Sequence, residues 1–201
     1  MESQIKKDFG FDFVFFHNTF DDNITLIKIL NDGEIKIGSK ISTKQRKLSG
    51  GEAMPYVFAM MQFDDLINLE NMYGGATLII SPKIIYDMDI YFNGGWRTML
   101  DEKSIAIKKN DDTIHKKDKI KIIHDLLEYK MKNKDRMYYM SHEVLFPKNI
   151  DIKKYVIGII CQDGTKQTIK QIIHDKGYYI KDMSTEYIIT HNKIINSQNI
   201  L

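Results

Sequence analysis

The sequence predicts an α+β fold: a largely antiparallel sheet, or a split pair of sheets, with flanking helices. Three observations carry that expectation. Short runs rich in aromatic and β-branched residues recur along the chain, as buried strands do. Helix-spaced segments, several closed by glycine, alternate with them. There is one long helical segment and no internal repeat, Pro-rich linker or low-complexity tail, so strands and short helices must form the layers.

The elements follow in order. Phe11, Phe13, Val14, Phe15 and Phe16 form a run too short to cross a bilayer and too apolar for a surface loop, which predicts a buried strand ending at His17. Asp22 or Asn23 can cap a helix that keeps Ile24, Ile27 and Leu30 on one face, and Gly33 can stop it in the left-handed conformation. EIKIG (34–38) reads as a short strand, and STKQRKLSGGEAMP (42–55) as a polar loop. PYVFAMMQF is β-capable, DDLINLENMYG (64–74) has helix spacing, and GATLIISP (75–82) is a strand closed by Pro82. A mixed stretch ends in the Gly94-Gly95 turn, and SIAIKK (104–109) is a strand candidate. The long helix spans about 118–134, with Ile120, Ile123 and Leu127 toward the core and its lysines on the wet side. HEVLF (142–146), a turn at Pro147 and KYVIGIIC (154–161) read as strands. A helix near 166–174 and strand-like YYI (178–180) follow.

The 201 residues are 43% apolar and 28% charged, which suits one domain. Twenty-nine basic against 27 acidic residues impose no global need for a nucleic-acid or membrane partner. The bias toward Ile, Asn and Lys suggests an AT-rich genome, so a lysine-rich surface carries little meaning. Arg46, Arg97 and Arg136 are the only arginines. With no leader, no membrane-length apolar run and a single cysteine, Cys161, an intracellular, cytoplasmic location is expected.

Several chemistries are disfavoured. The six histidines show no HExxH spacing and cysteine pairs are absent, so no metal is expected. The Gly pairs form neither GxGxxG nor a Walker loop. There is no GxSxG elbow, and Cys161 sits in an apolar strand where a thiol is usually inert.

What remains is a strand ending in FFHNT followed by a helix and glycine stop, then PYVFAMMQFDDL, then HEVLFPKNIDIKKYVIGI. Together these resemble the mono- and poly-ADP-ribosyltransferase fold of the histidine-tyrosine-glutamate type, over residues 11–161. His17, Asn18 and Thr19 match the family's His-Gly-Thr at a strand exit. Glu143, Pro147 and Tyr155-Val156-Ile157 match its glutamate strand, turn and closing strand. The resemblance implies one domain over 1–201, with the ADP-ribosyltransferase-like core at 11–161 and a helix and strand extension at 162–201. It also implies NAD as the substrate. As nicotinamide leaves, positive charge builds on the ribose, and Glu143 would stabilise it, bond the ribose hydroxyl and orient or deprotonate the acceptor. His17 would bond the adenosine ribose, Thr19 would fix its surroundings and the Asn18 backbone would meet the nicotinamide amide. Tyr56 is the nearest candidate to stack on nicotinamide. Arg46 lies in the loop where some DNA-modifying members carry an NAD-contacting arginine.

The chain departs from the family at two points. Asn18 replaces glycine, although asparagine tolerates positive φ better than most residues. Alignment on Phe-Ala puts the expected tyrosine at Val57, so Tyr56 is one place early and, in a strand, on the other face. A bulge could rescue it, or Tyr73 or Tyr91 could stack instead. Glu143 also alternates with Val144 and Phe146 as a solvent-facing strand residue would. The expected activity is transfer of ADP-ribose to a macromolecular acceptor, protein or nucleic acid, with no membrane partner. The alternatives are a non-catalytic module on a degenerate version of the fold, binding nucleic acid or protein, and an RNA 2′-phosphotransferase, which needs more clustered arginine than three scattered residues supply. Acceptor and oligomeric state are not encoded.

Overall fold

The computed structural model describes residues 4–10, 12–19, 23–38, 56–63, 75–93, 121, 124–125, 142–161 and 164–185. In chain order they form α1 (Gln4–Phe9), β1 (Phe13–Thr19), α2 (Ile24–Asp32), β2 (Glu34–Ile35), β3 (Val57–Phe63), β4 (Ala76–Ile80), a 3₁₀ helix (Pro82–Tyr86) and β5 (Tyr91–Asn93). Then come β6 (His142–Phe146), β7 (Ile150–Asp151), α3 (Ile152–Tyr155), β8 (Val156–Cys161), α4 (Gln167–Asp175) and β9 (Lys181–Asp182).

Seven strands make one sheet in the order β5-β6-β3-β1-β4-β8-β9, and β2 with β7 makes a second sheet of two. All pairings are antiparallel except that of β8 with β9. The fold is α+β on a largely antiparallel sheet, as the sequence predicts.

The uninterrupted apolar run of β1 follows from its position. Flanked by β3 and β4, it is covered on both faces, and alternation sends successive side chains to opposite sides. Phe13 and Phe15 join the main core with Met61, Leu78, Val144 and Phe146. Val14 and Phe16 join a smaller cluster with Ile79 and Ile160, against which Met183 packs. Phe15 stands edge-on to Phe13 at 5.6 Å and to Phe146 at 5.4 Å, an arrangement that matches ring edges to ring faces.

Helix α2 stops where expected: Gly33 has φ 77° and its N–H donates to the Ile29 carbonyl at 3.0 Å. Its buried face differs from the expected one. Leu26, Ile29 and Leu30 are buried, Ile27 packs against the core, and Ile24 is 69% exposed. The helix has more apolar positions than one face can hold, and the sheet decides which arc is covered. The 34–38 strand is confined to Glu34–Ile35, beyond which the Ile37 N–H donates to Asn149 Oδ1. Lys154 and Tyr155 belong to α3, capped by the Asp151 carboxylate, so the strand expected over 154–161 begins at Val156. YYI is not a strand. Tyr178 instead donates its hydroxyl to the Leu30 carbonyl at 2.8 Å, and β9 begins three residues later.

The segment 164–185 builds onto the same layers. Met183 N–H donates to the Ile159 carbonyl, and Ser184 accepts from the Cys161 N–H. Thr165 donates to Asp182 at 2.7 Å, which leaves Ser184 to donate to Thr165. The expectations for 42–55, 64–74, 94–95 and 104–109 lie outside the described residues. Of 118–134, only Lys121, His124 and Asp125 are described, all helical.

Candidate functional site

The three strands that carry the sequence motifs are neighbours, in the order β6-β3-β1. β1 pairs with β3 from Phe13 to Phe16, but with β4 from Phe15 to Thr19. His17, Asn18 and Thr19 therefore lie past the last paired row with β3 while β4 still holds their other edge. The exit of β1 is thus the place where one side of a central strand leaves its ladder.

His17 closes that gap. Its Nδ1 lies 2.7 Å from the Phe58 carbonyl. A carbonyl only accepts, so Nδ1 carries the proton and Nε2 of the neutral ring is an acceptor. Burial holds the imidazole below its ordinary value, and the bond to Phe58 opposes that shift in part. At neutral pH the ring is uncharged with its tautomer fixed.

Asn18 is extended and paired with Thr77, so it makes no use of the left-handed region. Its Oδ1 accepts from the Thr77 hydroxyl at 2.7 Å. Thr19 is buried and donates to the Ala76 carbonyl at 3.1 Å. Thr77 is a partner the sequence reading missed, and the single polar residue inside ATLII was the available signal.

Val57, where the family tyrosine is expected, is 2% exposed and part of the main core. Tyr56 is half-buried just ahead of β3, and its carbonyl accepts from the Gly38 N–H at 3.1 Å. The β3–β6 register is unbroken from Val57↔Phe146 to Met61↔His142, so no bulge within it brings Tyr56 into the Val57 position.

Glu143 lies opposite Met60 of β3 and opposite Asn93 of β5. The β1–β3 register carries that row on to Phe16, whereas His17, counted one step further, falls in the row of Ala59 and Val144. Adjacent rows in a flat ladder belong to opposite faces. The backbone therefore brings the two positions to neighbouring rows without setting them in one row. Arg46, Tyr73, Arg97 and Arg136 lie outside the described residues.

Among the described residues no group of three or more His, Cys, Asp or Glu could hold a metal ion. Burial pushes the Cys161 thiol up, against nucleophilic use. Among the same residues no helix is long and apolar enough to cross a membrane.

Comparison with known proteins gives two findings. Residues 11–130 match the family described as "Family of unknown function (DUF5846)". The match takes in β1 through β5 and ends ahead of β6. The Uncharacterized protein R11 of Acanthamoeba polyphaga mimivirus is 29% identical over 220 residues, spanning all of this chain and 79% of that protein.

Proposed function

We propose, for a chain that belongs to the family of unknown function DUF5846, that it binds NAD and transfers ADP-ribose to a macromolecular acceptor. The observation that carries this reading is the adjacency of β1, β3 and β6, which gathers the His17, Tyr56 and Glu143 motifs from distant parts of the chain onto three neighbouring strands. A neutral His17 with its Nδ1 proton engaged suits an acceptor for a ribose hydroxyl. In this reading the Glu143 carboxylate opposes the positive charge that develops as nicotinamide departs. NAD is the substrate and no metal takes part.

The test is nicotinamide release from NAD by the purified protein, with and without lysate as acceptor. Glu143→Gln keeps the shape and removes the charge, and release is expected to fall about 10²–10³-fold. Equal release by wild type and Glu143→Gln sinks the assignment.

One observation favours a second reading, a non-catalytic module on the same fold. The His17, Asn18 and Thr19 side chains all have partners within the protein, and His17 and Glu143 fall in adjacent rows. An NAD-dependent rise in melting temperature without turnover would select this reading.

A further inference from the structure

Asn23 stands at the N-terminus of α2, which follows the strand of His17. It is 2% exposed, and its Oδ1 has no hydrogen-bond partner among the described residues, the only such buried side-chain atom there. It occupies the N-cap position with φ 66°, yet its side chain makes no capping bond, while its carbonyl accepts from the Ile27 N–H at 2.9 Å. A buried acceptor left unpaired is costly, and native structures satisfy nearly all such groups. Among the described residues nothing uses this acceptor: Asn23 Oδ1 neither caps the helix nor bonds to another group.

We infer that Asn23 is a ligand-binding residue: its Oδ1 accepts a hydrogen bond from an uncharged donor of the bound nucleotide, at the N-terminus of α2. An acceptor does not suit phosphate, which at neutral pH offers only acceptors toward it. The donor is a ribose hydroxyl, the adenine amino group or the carboxamide N–H of nicotinamide. The helix N-terminus adds a positive potential beside it that suits the polar part of a nucleotide. This inference rests on the NAD reading and extends it to α2.

The experiment measures melting temperature and calorimetric affinity of the full chain with ADP-ribose, nicotinamide and inorganic pyrophosphate. It compares wild type with Asn23→Gly, which keeps the left-handed backbone and deletes the acceptor, and Asn23→Asp, which keeps an acceptor oxygen. Asn23→Gly is expected to melt roughly 2–4 °C higher without ligand. It is also expected to bind ADP-ribose or nicotinamide about three- to tenfold more weakly, and Asn23→Asp is expected to retain most of the affinity. Loss for ADP-ribose alone assigns a ribose hydroxyl or the adenine amino group as donor, and loss for nicotinamide assigns the carboxamide. A lower melting temperature for unliganded Asn23→Gly overturns the inference, because the carboxamide is then structural. Wild-type affinity in Asn23→Gly overturns it while leaving the NAD reading intact. Loss confined to pyrophosphate overturns the donor class. A wild type that binds none of the three probes removes the NAD reading and this inference together.

Discussion

At the scale of single residues, His17 is held at the exit of β1 by its bond to the Phe58 carbonyl. Its folded-state value lies below its ordinary value near 6.5, so below that pH the unfolded chain binds more protons than the folded one. The stability that His17 contributes is therefore fully present above pH 6.5 and declines as pH falls toward the folded value. His17→Gln keeps an N–H donor for the Phe58 carbonyl but does not titrate. Thermal melts between pH 8 and 5 are expected to show a shallower acid-side decline in this variant, and identical profiles would refute the account. His17→Ala removes the bond to Phe58 and is expected to cost about 1–3 kcal/mol in urea titrations. Residue identity and strand position were readable here, since an apolar run ending in a histidine has few interpretations. The partners were not. The Phe58 carbonyl and the Thr77 hydroxyl come from strands beyond any local pattern, and the left-handed backbone of Asn23 leaves no mark beyond asparagine's tolerance for it.

At the scale of elements, the sequence specified ends better than faces. Gly33 was readable as a stop because the left-handed conformation strongly selects glycine. A Cβ at that position would carry the left-handed penalty and lie 3.4 Å from the Tyr178 hydroxyl. Gly33→Ala is expected to lower the unfolding free energy by about 1–2 kcal/mol, measured as a drop in urea midpoint at unchanged slope. The buried arc of α2 was not readable. Ile24, Ile27 and Leu30 share a helical face as well as Leu26, Ile29 and Leu30 do, and only packing into the common core leaves Ile24 in solvent. YYI has strand composition, yet Tyr178 is engaged by the end of α2, and the ladder resumes at Lys181. Tertiary partners override β-propensity there.

At the scale of the whole molecule, the fold class was legible and the neighbourhood of strands was not. Periodicity marks a strand, but nothing local says that β6 lies beside β3 or that β9 joins β8 in parallel. Phe15 lies where this order matters most, wholly buried and in edge contact with rings of β1 and β6. Phe15→Ala is expected to cost about 3–5 kcal/mol against a total stability of about 5–15 kcal/mol. It should shift the urea midpoint far more than any change at the β1 exit, and a small shift would mean that this part of the core can collapse around the gap. The place of β1 in the sheet also has a consequence for synthesis. Among the described strands, the phenylalanine-rich β1 is made before its neighbours β3 and β4, and β8 comes later still. At about 5–20 residues per second, FDFVFF waits unpaired for several seconds before β3 is made. The yield of folded protein is therefore expected to depend on translation speed between β1 and β4 more than on the codons after β8, measured as soluble yield from synonymous recodings of the two segments.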